Sequence, residues 1–316
     1  MSSYQMDAQK NSKNSFLVII IPTIMLIIGA IIYPYPPSDI AQQLVLIPLF
    51  LGLLLLGIGF FLRNKTIGAK FKISGWGVFA FFWATSPAYL YFSEGGDIFN
   101  AAVSIIGVYI LIYIAYHEWL SIRTNTFPTC LNWIAGASFL AGMIYFLVDS
   151  GVFPGIKTWF IEFVAHQSNL VLNLFGIDSL LQGSVIILNN HPITIIFACT
   201  AVQSMVLFVG MIGALPNVSL QKKLLGLLVT IVPIYFLNLI RNAGVIFLIG
   251  NDIASFHMAH NVIAKIGSLI ALIILLFITF KILPTLYDEI MCLIDLPKRK
   301  GPVELFFGQF LEKSSK

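Results

Sequence analysis

Long apolar runs separated by short polar links dominate the chain. Eight runs approach the roughly 20 mostly apolar residues that cross a bilayer as a helix: 16–33, 40–62, 73–92, 98–116, 130–148, 192–214, 224–249 and 259–282. The polar start, 1–15, reads as a cytoplasmic tail ahead of an uncleaved first span, and 283–316 as a second tail. The segment 149–191 has a different pattern. Trp159, Phe160, Phe163, Val164, Leu170, Leu174 and Phe175 recur at near-helical spacing, interleaved with Lys157, Glu162, His166, Gln167 and Asn173. This predicts an amphipathic helix lying at the membrane surface, followed by a strand-like run at 184–188. The expected architecture is an all-α integral membrane protein, one polytopic domain over 1–316, with about eight transmembrane helices and an amphipathic extracytoplasmic insert.

Composition supports the pattern. Of the 316 residues 58% are hydrophobic and 10% charged, against about 25% charged in a soluble domain. A net charge of +4 is too small to suggest nucleic-acid binding. Three cysteines, Cys130, Cys199 and Cys292, lie far apart with no CxxC spacing, so neither a zinc site nor a disulfide scaffold is expected.

The charges orient the spans. With the N-terminus inside, the inner segments hold Lys10, Lys13, Arg63, Lys65, Lys70, Lys72, Arg123, Lys222, Lys223, Lys281, Lys298, Arg299, Lys300, Lys313 and Lys316. The outer segments hold Lys157 alone among basic residues, beside Asp39, Glu94, Asp97, Asp149, Glu162, Asp178 and Asp252. Both termini are therefore expected inside the cell membrane and the insert outside.

Two of the 18 basic residues, Arg241 and Lys265, fall within expected spans. A charge in hydrocarbon costs at least about 2.5 kcal/mol and usually faces the bundle interior at a functional site. Arg241 is some eight residues from the outer end of its span, about 12 Å at 1.5 Å per residue. Snorkelling explains it poorly, whereas Lys265 lies nearer the surface. Following the same topology, Cys199 sits about seven residues below the outer end of the sixth span, and His257 and His260 begin the eighth. A thiol, a guanidinium and imidazoles thus reach one depth in the outer half of the membrane. A thiol is nucleophilic as its thiolate, which a neighbouring cation or histidine favours. A histidine can also take the thiol proton and return it to a leaving amine, and an arginine can stabilise an oxyanion. Alone, each has a plainer reading: Cys199 as an apolar filler, the histidines as an interfacial cap. His166 and His191 lie outside, in or beside the insert, where either could touch a substrate. His117 lies on the inner side, with a structural role. Two histidines without further ligands do not make a metal site, so no metal or cofactor is expected.

The segments carrying these residues read Ala198-Cys199-Thr200-Ala201-Val202-Gln203-Ser204-Met205, then Pro233-Ile234-Tyr235-Phe236-Leu237-Asn238-Leu239-Ile240-Arg241-Asn242, then Phe256-His257-Met258-Ala259-His260-Asn261. In order and spacing they resemble the exosortase/archaeosortase family, its archaeosortase branch most closely. The motifs cover about the last 125 residues; the first five spans match only in number and hydrophobicity. The resemblance implies a membrane cysteine transpeptidase, with 192–282 as its catalytic helices. Its substrates would be surface proteins with a C-terminal sorting signal: a Pro-Gly-Phe type motif, a transmembrane helix and a basic cluster. It would cleave through a Cys thioacyl intermediate and support transfer of the new C-terminus to a membrane lipid. Cys199 matches the nucleophile, Arg241 the essential arginine and His260 the histidine, with His257 and Lys265 open as third partners. Gln203, Asn238, Asn242, Asn261 and His191 are the expected substrate contacts.

Two other classes remain open on sequence. In a transporter or channel, Arg241, Lys265 and the histidines would form an ion path. Against it, the ionisable residues do not continue inward and no internal repeat is present. In a scaffold subunit without catalysis, blocking Cys199 would change nothing.

Overall fold

The computed structural model describes residues 16–93, 96 and 98–314, the side chains of 261 and 309–314 excepted. The expected tail 1–15 lies outside the described residues. In chain order the helices are α1 Leu17–Ile32, α2 Asp39–Leu44, α3 Leu46–Phe61, α4 Lys65–Ala84, α5 Ser86–Phe92, α6 Ile98–Thr124, α7 Thr129–Asp149 and α8 Pro154–Leu174. Strands β1 Leu180–Gln182, β2 Val185–Leu188 and β3 His191–Thr194 follow, then a 3-10 turn, Phe197–Thr200. The rest comprises α9 Val202–Gly213, α10 Leu220–Gly250, a π-helical segment His257–Ala264, α11 Lys265–Ile282, α12 Pro284–Ile294, a second 3-10 turn, Leu296–Arg299, and α13 Pro302–Ser314.

The chain is an all-α integral membrane protein carrying one small sheet. Ile31, Ile106, Leu228 and Phe277 are each more than half exposed. Such continuous apolar helix surface needs lipid rather than water around it. Among the described residues five helical stretches are long and apolar enough to cross a membrane: Asp39–Phe61, Ile98–Thr124, Thr129–Asp149, Leu220–Gly250 and His257–Ile282. Leu17–Ile32 and Val202–Gly213 are shorter apolar helices.

Two of the eight expected spans are corrected. The third does not run as one helix over 73–92. It begins earlier, at Lys65, because the Asn64 side chain caps it by accepting from the Ile67 amide at 3.1 Å. It stops at Ala84, and a separate helix starts at Ser86 with Pro87 in its first turn. The sixth, expected as a helix over 192–214, is a strand, a 3-10 turn and only then the 12-residue α9. The β-branched run Ile193-Thr194-Ile195-Ile196 favours extended backbone, and Pro192 suits an edge strand.

The chain forms two compact units, Met1–Phe139 with Asp288–Lys316, and Leu140–Tyr287. In the first, α3 and α4 pack so closely that a Cβ on Gly59 would lie 2.8 Å from the Gly68 carbonyl oxygen, and the reverse substitution meets the same limit. Lys72 is not a link residue as its charge suggested. It lies within α4, 6% exposed, 2.8 Å from Glu118 of α6, and donates to Asn132 at 3.3 Å. Removing one partner of such a pair strands the other charge in apolar surroundings. Lys72→Met is therefore expected to destabilise the protein by about 3–5 kcal/mol, and adding Glu118→Leu to restore much of the loss. Thermal unfolding in detergent micelles measures both.

Cys130 and Cys292 also meet in this unit, as a disulfide with Cα atoms 5.9 Å apart. The expectation of no disulfide fails because α12 folds back onto the start of α7, a contact that a separation of 162 residues does not announce. Glu289 of α12, itself buried, accepts from Thr129 at 3.1 Å beside them. Its carboxylate and the two sulfurs lie within 4.8 Å of one another, but sulfurs joined in a disulfide have no thiolate to offer a metal.

The second unit builds its core from α8, the sheet and α10. A helix forms within the expected segment and turns Val164, Ala165 and Leu172 inward against Ile186, Leu188, Ile193, Leu239 and Ile246, while Trp159, Phe163, Leu170 and Leu174 of the expected apolar set are exposed. The strand-like run at 184–188 becomes the centre of the antiparallel sheet β1-β2-β3. Asn189 and Asn190, at φ 49° and 66°, make the tight turn between β2 and β3. The hairpin is seated on the end of α10, where Leu188 packs over Gly250. A Cβ there would meet the Leu188 Cγ at 2.6 Å, and Asn189 donates to the Gly250 carbonyl at 3.1 Å.

Candidate active site

Cys199 lies in the 3-10 turn between β3 and α9. Its amide donates to the Ile196 carbonyl at 2.8 Å. Ala201 follows in the left-handed region, φ 60°, and redirects the chain into α9. Thr200 ties the bend, donating to the Phe197 carbonyl at 2.7 Å and accepting from the Val202 amide at 3.4 Å. The sequence reading placed Cys199 two turns inside a helix. The structure instead puts it three residues before a helix begins, beside the positive end of the α9 dipole.

The Cys199 backbone is held from α10. Asn238 and Asn242, one helical turn apart, both donate their side-chain amides to its carbonyl, at 2.8 and 3.0 Å. Asn242 also reaches Ser168 of α8 at 3.4 Å. These two asparagines, expected as substrate contacts, are committed to positioning the turn. Cys199 as a whole is 7% exposed.

Between the two asparagines α10 carries Arg241, half-buried and near enough to Cys199 for their charges to interact. One guanidinium nitrogen donates to Asn242 Oδ1 at 3.3 Å, and the other lies 3.5 Å from His260 Nε2. Arginine has only donors, so in this long contact Nε2 is the acceptor and the proton of a neutral ring sits on Nδ1. The imidazole stacks on Phe256, ring centres 5.1 Å apart and 8° from parallel. Cys199 and His260 line one small cavity of about 60 Å³ together with Ile193, Thr194, Ile195 and Ile196. Arg241 lines a larger apolar cavity of about 320 Å³ between α10 and α11.

Cys199, Arg241 and His260 thus come together. His257 and Lys265 are exposed and line neither cavity. Gln203 is exposed on α9. His191, at the start of β3, lies 3.4 Å from Asp252. The Asn261 side chain lies outside those described. Ser168, Phe256 and the backbone of 193–196 were missed from sequence. Only the i, i+4 spacing of Asn238 and Asn242 hinted that one helix face holds the turn.

A helical integral membrane protein with a recessed thiol, backed by a guanidinium and an imidazole from two further segments, is the class defined by this fold and site. The chain matches the transmembrane exosortase family over residues 38–280, which includes every one of these groups, and it belongs to that family. Comparison with curated proteins and with solved structures finds no match.

Proposed function

We propose that the protein is a membrane cysteine transpeptidase of archaeosortase type, acting on surface proteins that carry a C-terminal sorting signal. The observation that carries this reading is the juxtaposition of three groups: Cys199 and His260 line one cavity, and the Arg241 guanidinium lies 3.5 Å from His260 Nε2. Such a group supplies counter-charge to a thiolate and then to the oxyanion formed from it, in a water-poor site where charge interactions are strong.

In the reaction His260 Nε2 gives up its long contact with Arg241 and takes the Cys199 proton, and the sulfur attacks the scissile carbonyl carbon. The tetrahedral oxyanion collapses as the C–N bond breaks, and the imidazolium returns its proton to the departing amine. This leaves an acyl-thioester on Cys199 and frees the C-terminal part of the substrate. A primary amine, proposed to be a membrane-lipid headgroup, attacks the thioester, loses its proton to His260 and releases the thiol. No step requires a metal or cofactor. The charge distribution supports an outward-facing site with both termini inside. A substrate helix with basic residues at its inner end obeys the same rule, which brings its scissile bond to the outer side.

The direct test incubates the full-length protein in micelles with a synthetic peptide ending in the sorting signal, without amine acceptor. Intact-mass and peptide mapping are expected to find the acyl fragment on Cys199, removable by hydroxylamine. Cleavage without any adduct on Cys199, even at acid quench, sinks the proposal.

A further inference from the structure

The sheet ends in an open edge beside the thiol. In the β2–β3 hairpin the residues whose backbone groups face β2 are fixed by the register Leu188↔His191, Ile186↔Ile193 and by the Ile195 amide bonded to the Ser184 carbonyl at 2.8 Å. Because the ladder alternates, Pro192, Thr194 and Ile196 turn theirs away from β2. Among the described residues no strand pairs with that side. It offers the carbonyls of Pro192 and Thr194 and the amides of Thr194 and Ile196. Proline stands on the outward side, where an edge strand tolerates the missing donor. Thr194 and Ile196 are exposed, yet both line the cavity that holds Cys199 and His260. That cavity is small, about 60 Å³, but large enough to admit a few water-sized groups. An unpaired edge is the feature that binds extended chains by adding a strand.

We infer that the substrate segment at the scissile bond binds as a fourth strand on the outer edge of β3, through its backbone, so that the sheet delivers the reacting carbonyl to Cys199. The inference rests on the transpeptidase reading and assigns its substrate-binding element. Thr194 is a positioning residue through its main chain. The bound chain must be extended, and its amides contact the strand at every second residue.

Two measurements test this on the full-length protein in micelles with synthetic signal peptides. First, single N-methylation is walked along the peptide. Cleavage is expected to fall about tenfold, the worth of one good hydrogen bond, at two positions two residues apart, and to persist at the position between them. Loss without that period, or tolerance throughout, overturns the inference. Second, Thr194→Pro removes the outward amide and none used by the hairpin. KM is expected to rise about tenfold with most of kcat kept, while Cys199 alkylation no faster than in the wild type shows that the thiol is still recessed and the site folded. An unchanged KM in that folded variant overturns strand addition and leaves the thiol chemistry standing. An enzyme that still cleaves after Cys199→Ala refutes the transpeptidase reading itself, whatever the methylation scan shows.

Discussion

Cys199→Ala is expected to abolish substrate processing, by at least about 10⁴-fold as for loss of other nucleophiles that act with a base, while the protein still inserts and folds. The expectation of a folded variant is specific to this turn. Everything that anchors position 199 is main chain: its amide on Ile196 and its carbonyl under Asn238 and Asn242. Alanine keeps all three bonds and removes one sulfur from a largely apolar surround. Cys199→Ser is expected to fail too, since a hydroxyl is far harder to deprotonate than a thiol and His260 is a modest base. Processing of a tagged signal-bearing substrate, followed by gel shift, checks both variants against equal amounts of folded protein. Full processing by the alanine variant eliminates Cys199 as the nucleophile.

Arg241→Lys is expected to lower kcat/KM by about 10²–10³-fold, the scale for losing a preorganised oxyanion donor, despite the conserved charge. Arg241 divides its planar fork between Asn242 and His260. A lysine ammonium is a single point with a different reach and cannot hold that spread of directions. The loss should fall on kcat, because the contacts matter most once negative charge develops on sulfur and then on oxygen. Retention of more than about a fifth of the activity would mean that charge alone suffices and that the divided geometry is incidental.

Parts of this site were legible before any coordinates. A guanidinium within an apolar run is costly enough to demand a reason, and Arg241 led to Cys199 and His260, which the structure brings together on three successive segments. A helix within 149–191 was equally clear, since its periodicity is a local property, though the face it buries was not. The surroundings of Cys199 were not. The run 192–201 is apolar, and hydropathy cannot separate a buried strand and turn from a membrane helix. The depth assigned to Cys199 by counting along a helix was thus wrong in its premise, though the juxtaposition it suggested is present. Lys72 misled for the opposite reason: a charge reads as a link until its partner, Glu118, is seen 2.8 Å away inside the fold.

Hydrophobicity and charge order are linear properties, and they suffice for a helical membrane protein and for naming the residues too costly to leave idle. Pairing is not linear. The bond between Cys130 and Cys292, the two asparagines converging on the Cys199 carbonyl, and the open edge of β3 beside the thiol all join segments far apart in the chain. Each depends on close packing and directional hydrogen bonds, whose geometry exists only after the chain has folded.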